Sequence, residues 1–166
     1  EYCKSLSIPE TKERHVPLQL AAWFHDIIYD PLSTQNEEDS AKLMRDVVKD
    51  YVAEADLEIA ETLILMTKAH FSATTKYEKI LSDADLSILS EEESIYAEYK
   101  NAIRIEYSHL DDATYKLGRT KFINNALAHI AFHGHLYHYL HPLHEAQALK
   151  NIRSELNGFG CDSLEK

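Results

Sequence analysis

His25 and Asp26 stand side by side at the end of VPLQLAAWFHDII, residues 16–28, a run otherwise almost wholly apolar. Burying an ionisable pair in such a run is costly unless something compensates both groups. A metal ion does so, because imidazole nitrogen and carboxylate oxygen are good ligands for Mn, Fe, Zn, Ni or Co. Neighbouring residues diverge by about 100° on a helix, yet at a helix end both side chains can still reach one ion. The competing reading needs no ion: a hydrogen-bonded pair that caps the helix. His-Asp dipeptides are common by chance, so the dipeptide alone favours that second reading.

Two further acids, Asp83 and Asp85, interrupt the apolar run ILSDADLSIL at residues 80–89. They lie about 200° apart on a helix and so point in different directions. One can face the core and a metal while the other caps a helix or faces solvent. Taken with His25-Asp26, the pair supplies a third ligand from a distant helix. Thr67 and His70 are three residues apart and share one helix face. Glu37, Glu38 and Asp39 follow Asn36, an arrangement that reads first as acids matched to a helix dipole. Near the C-terminus lie His129, His133, His135, His138, His141 and His144. Two pairs among them, His129/His133 and His141/His144, have spacings that hold a metal on a helix, but Pro142 interrupts the run.

The elements that must carry these residues read as helices throughout. Residues 16–28 are apolar on nearly every side and belong in the centre of a bundle, ending before Tyr29-Asp30-Pro31. Asn36 caps a helix with Ala41, Met44, Val48, Tyr51, Val52 and Ala55 on one stripe. Asp56 caps the next, which runs to about His70 with Leu63, Ile64 and Met66 as core. Helices over about 75–89, 92–108, 112–132 and 143–156 follow, the last stopped by Asn157-Gly158. Tyrosines 96, 99, 107, 115, 137 and 139 read as core and interface residues. No segment alternates convincingly with period two, and no repeat or linker divides the chain. The expectation is one all-α domain of about seven helices, an antiparallel bundle with the site between central helices.

Composition agrees with this. The 166 residues include only four Gly and four Pro, and 45% are hydrophobic, enough for one sizeable core. Net charge is −11, which disfavours nucleic acid or an anionic membrane as a partner. A small phosphate substrate remains compatible, because a bound cation and a few arginines reverse the sign locally. Cys3 and Cys161 show no metal or redox spacing and read as reduced thiols of a cytoplasmic protein. No stretch approaches the roughly 20 apolar residues of a membrane span. Residue 1 is Glu and EYCKSL reads as the end of a helix, so native sequence is expected upstream.

The pattern AAWFHDIIYDP, NEEDSA, ILMTKAH, LSDADLSIL, IRIEY and GR resembles the HD superfamily of metal-dependent phosphohydrolases. It is most similar to a bacterial branch described as predicted HD-superfamily hydrolases, over roughly residues 18–156. The resemblance implies a helical HD fold and a ligand set of a first His, the His-Asp pair and a later Asp. His25 and Asp26 match the pair, and Asp85, the Asp before Leu, matches the last ligand better than Asp83. The first His has no good match, since His15 is only ten residues before His25 and in an apparent loop. Either it lies upstream or the natural protein has lost it. By the same resemblance His70, with Thr67, is a second-metal ligand, a phosphate contact or a proton donor. Glu37 or Glu38 becomes a base near the metal. Arg104 and Arg119 occupy matching positions, and a guanidinium there suits a phosphate or equally a salt bridge to Glu106 or Asp85. The branch has no comparable C-terminal histidine cluster, so a structural role is read for it and any zinc or nickel there as incidental.

The activity implied is hydrolysis of a nucleotide or other small phosphate ester. Its cofactor is a divalent transition metal (Mn, Fe, Co, Ni or Zn, with Mg also compatible). The metal is held by His25, Asp26 and Asp85, and Asp26, His70, Glu37 and Arg104 are the candidate catalytic groups. Two readings of other classes stand beside it. One is a non-catalytic nucleotide-binding regulatory module. The other is an HD-fold di-iron oxygenase, which needs more histidines than His70 between the pair and the last Asp. The Tyr-rich surface permits a homodimer.

Overall fold

A computed structural model describes residues 15–160. Cys3, Cys161 and the EYCKSL segment lie outside those residues. Among them are seven α-helices and no strand, as the scarcity of Gly and Pro predicts. Among the described residues no helix is long and apolar enough to cross a membrane. By contact the chain gathers into two compact units, one up to Ala84 and one from Asp85 onward.

The first unit holds α1 (Val16–Phe24), α2 (Asn36–Val48), α3 (Glu54–Met66), a 3₁₀ segment (Thr67–Ser72) and α4 (Lys76–Asp85), cut at its last residue. α3 packs against both α1 and α2. Small residues at the contact, Ala21, Ala41 and Ala60, are fully or almost fully buried and let the backbones approach. Met44, Leu57 and Ile64 fill the space between them, each 0% exposed. A side-chain fork fastens the surface of this packing: Arg45 on α2 donates to Glu54 at 2.6 Å and to Glu61 at 2.5 Å, both on α3.

Several boundaries differ from the sequence reading, each for a local reason. α1 ends at Phe24 and not at Ile28, and it buries one face (Pro17, Leu18, Ala21) while Trp23 is 81% exposed. It is therefore not the central, all-round apolar helix expected. Beyond it the backbone is satisfied by side chains of α2 rather than by another helical turn. Asn36 does not cap α2 either. Gln35 is the N-cap residue, and the Asn36 amide faces back to Asp30. α2 stops at Val48; Val52 beyond it still packs against the core, whereas Tyr51 and Ala55 are exposed. Asp56 sits inside the first turn of α3, whose N-cap residue is Ala53.

The second unit holds a 3₁₀ turn (Leu86–Ser90), α5 (Glu93–Glu106), α6 (Asp112–His133) and α7 (Pro142–Gly158). Asp111 caps α6, its carboxylate accepting from the Thr114 N–H at 2.7 Å. Gly134 closes the other end in the left-handed conformation (φ 82°) that glycine adopts without strain. α7 packs on the 3₁₀ turn, where Asn151 donates to the carbonyls of Leu89 and Glu91 at 2.9 and 2.8 Å. The core around Leu89, Ile123 and Ile152 includes an ion pair. Arg119 on α6 meets Glu155 on α7 through two bonds of 2.9 and 3.0 Å, and Tyr96 on α5 donates to the same carboxylate at 2.5 Å.

Candidate metal centre

The turn that follows α1 carries His25 and Asp26, and two side chains of α2 hold it. The Ser40 hydroxyl, fully buried, accepts from the Ile28 N–H at 3.1 Å and donates to the Ile28 carbonyl at 3.2 Å. The Asn36 amide does the same for Asp30, at 2.9 Å in each direction. Four bonds from one helix thus fix the path of the chain just after the His-Asp pair. Sequence reasoning missed both clamps. The available signal was the i, i+4 spacing of two short polar residues, Asn36 and Ser40, the second on the apolar face beside Ala41 and Met44.

Asp85 is the last residue of α4, so it is carried by a helix whose remaining residues belong to the first unit. Ser82, one turn earlier, donates to the His70 carbonyl at 3.2 Å and ties α4 to the preceding 3₁₀ segment. With these supports His25, Asp26 and Asp85 each offer one ligand atom, and the three atoms lie within 4.8 Å of one another. Two donors on one first-row ion, each at about 2.0–2.2 Å, are separated by no more than about 4.4 Å, so small side-chain rotations suffice for a shared ion. One imidazole and two carboxylates form a donor set suited to a divalent transition metal. The juxtaposition of two carboxylates is itself unfavourable unless a positive charge faces them.

Burial does not supply the argument expected from sequence. The His25 side chain is 19% exposed and that of Asp26 61% exposed, with Nε2 to Oδ2 at 3.4 Å. The pair lies at the surface end of α1, so desolvation alone does not demand an ion. Convergence with Asp85 does the arguing instead. Asp83, two residues away, is 1% exposed, on the buried side of α4.

The other candidates are placed as follows. Lys68 bonds both oxygens of Glu38 at 2.5 Å and stands 3.4 Å from Glu37 Oε2. The Lys68 bond holds the Glu38 carboxyl below its usual range, and Glu38 in turn raises the Lys68 ammonium. Thr67 and His70 do not share a regular helix face, because Ala69 between them is non-helical (φ −143°, ψ 62°). The Thr67 hydroxyl turns inward to the Ile64 carbonyl at 2.7 Å. Arg104 pairs with neither Glu106 nor Asp85. Its guanidinium donates to the carbonyls of Tyr107 and Leu110 and to Asp112 at 2.8 Å, closing the turn between α5 and α6. Arg119 is engaged by Glu155. His15 begins α1 while His25 follows its end, about 15 Å apart at 1.5 Å per residue, so His15 does not complete the trio. A cleft of about 680 Å³ between α3 and the start of α4, lined by Ile59, Thr62 and Tyr77 among others, includes none of the candidate residues.

Removing the Ser40 clamp tests how the site is supported. Ser40→Ala leaves the Ile28 N–H and carbonyl without their partner in a half-buried place and is expected to cost about 1–3 kcal/mol. Urea denaturation measures this. A change below about 0.5 kcal/mol would show that the turn is held otherwise.

No family model, no curated protein and no solved structure matches the chain.

Proposed function

We propose that the chain is a metal-dependent phosphohydrolase of HD type, acting in the cytoplasm on a nucleotide or another small phosphate ester, with one divalent ion held by His25, Asp26 and Asp85. The observation that carries this reading is the convergence of three donor atoms within 4.8 Å from two segments some sixty residues apart in sequence. When bound, the ion supplies a Lewis acid that polarises a phosphoryl oxygen and makes a water acidic enough to act as nucleophile. His25 contributes a neutral nitrogen lone pair. Asp26, the most exposed of the three, offers a carboxylate oxygen that solvent reaches and that can take up a proton. His70 is the group assigned to meet charge on the substrate. Arg104 loses that assignment, because its donors are occupied at the α5–α6 turn. Glu37 remains a base only if a substrate draws Lys68 away from it.

The internal engagement of both Arg104 and Arg119 favours a second reading, a module that binds a nucleotide without hydrolysing it. One experiment separates the two. Untagged protein is loaded with Mn²⁺ or Co²⁺ and assayed on p-nitrophenyl phosphate and a panel of nucleotides, beside Asp26→Ala. Turnover that needs the metal and falls at least about 100-fold in the variant is expected, since loss of an outer partner alone costs 10–100-fold. Nucleotide binding without turnover would select the regulatory module. Turnover that survives Asp26→Ala, or protein that takes up no ion, would sink the hydrolase reading.

A further inference from the structure

Four histidines gather at the C-terminal end of α6 and in the loop that follows. His129 and His133 lie one turn apart on the helix, with ring centroids 4.4 Å apart. His135 and His138 come from the loop, 5.1 Å from each other. Between the two pairs the centroids are 6.3 Å (His129–His135), 6.2 Å (His129–His138) and 6.2 Å (His133–His135) apart. Four imidazoles on one tetrahedral ion, with nitrogens at about 2.0–2.1 Å, have centroids about 5 Å apart. Five of the six pairwise separations run from 4.4 to 6.3 Å and bracket that value.

The backbone bearing the rings is held. Gly134 ends α6 with its N–H on the Ile130 carbonyl at 2.8 Å. Glu145 on α7 accepts from the N–H groups of Leu136 and Tyr137 at 2.6 and 3.1 Å, between the two loop histidines. Leu136 and Tyr137 are buried, and the Tyr137 hydroxyl donates to the Leu86 carbonyl at 2.9 Å. His135 Nδ1 is buried and has no hydrogen-bond partner, which is an unfavourable state for a polar atom that a bound ion would relieve. Burial, and then the neighbouring His133, His138 and His135, hold His129 below the ordinary histidine range against the opposing pull of Glu145. Its nitrogen lone pair is therefore available at neutral pH. The ring nitrogens do not yet converge as the three donors of the first site do. Ring rotation on a fixed backbone is what remains.

From this geometry we infer a second metal site, in which His129, His133, His135 and His138 take one first-row divalent ion that prefers nitrogen, such as Zn²⁺. The ion staples the end of α6 to the loop before α7. It does not depend on the hydrolase reading, because it shares no residue with His25, Asp26 and Asp85.

The test uses untagged protein carrying Asp85→Ala, which silences the first site, titrated with Zn²⁺ and with Co²⁺. One ion per chain is expected, with the intense visible absorption of nitrogen-ligated tetrahedral cobalt. Zn²⁺ at a hundredfold excess over its Kd should raise Tm by about 5–10 °C. Adding His133→Gln, at an exposed position that leaves the fold intact, should weaken binding at least about 100-fold and abolish the Tm rise, and His138→Gln should do the same from the loop side. Binding that survives both substitutions, binding that moves instead with His141 and His144, or no uptake of either ion would overturn the site.

Discussion

Replacing Glu155 with leucine is expected to destabilise the protein by about 3–5 kcal/mol, because it strands a buried guanidinium. Arg119 is 10% exposed in its side chain and Glu155 3%. Two bonds join them, and Tyr96 gives its hydroxyl proton to the same carboxylate. Burial first, then the bond to Glu155, push the Tyr96 phenol far above its ordinary range, so that hydroxyl stays a donor at all working pH values. Burial opposes the Arg119 charge, and Glu155 and Tyr99 more than restore it. Leucine leaves the charge and the phenol without their acceptor. The double variant Arg119→Met/Glu155→Leu should regain most of the loss, since exchanging a buried pair for apolar groups of similar volume is close to neutral. Urea denaturation of the three proteins reads both numbers. A single variant within about 0.5 kcal/mol of the parent would mean that Arg119 escapes to solvent and that the pair does not organise the second unit.

That network also marks a limit of reading from sequence. Arg119 was legible as a cation at a motif position, and a phosphate and a salt bridge were equal claims on it. Its partner, Glu155, sits 36 residues away in a stretch whose surrounding charges look like a solvated face. Nothing in local pattern distinguishes the buried Glu155 from the exposed Arg153 and Ser154 beside it, because the choice is made by which face α7 turns to α6. Apolar periodicity was a better guide. Met44, Leu63 and Ile64 were placed in the core and are buried, because helical periodicity puts them on the face that packs.

Helix ends were the weaker part, for a definite reason. α1 looked as though it should continue to Ile28, since Ile27 and Ile28 are apolar and Pro31 is the first obvious stop. Ser40 and Asn36 intercept the backbone earlier by offering side-chain partners from twelve and six residues downstream. Such long-range capping leaves no trace in a window of one helix. It also moves the His-Asp pair from the end of a buried helix to a surface turn, which is why the argument from burial failed while the residues themselves came together with Asp85. The two acids of α4 show the opposite case, where helical geometry alone is informative. A separation of two residues puts them on different faces, and Asp83 is buried while Asp85 meets the pair.

That difference gives a prediction with two opposed readouts. Asp85→Ala should weaken Mn²⁺ or Co²⁺ binding at the first site at least about 100-fold, because it removes one of three protein donors where even an outer contact is worth 10–100-fold. Its effect on stability should be small or favourable, since it also relieves repulsion between the Asp26 and Asp85 carboxylates. Asp83→Ala should behave the other way. Its carboxylate is 1% exposed, so truncation strands whatever polar groups satisfy it and costs about 1–3 kcal/mol, while metal affinity stays near that of the parent. Metal titration and urea denaturation of the two variants, each made in a His133→Gln background so that the histidine cluster does not contribute, separate the roles. Metal loss in Asp83→Ala with retention in Asp85→Ala would transfer the ligand to the buried acid and require α4 to turn. Retention in both would remove α4 from the site and overturn the three-ligand centre.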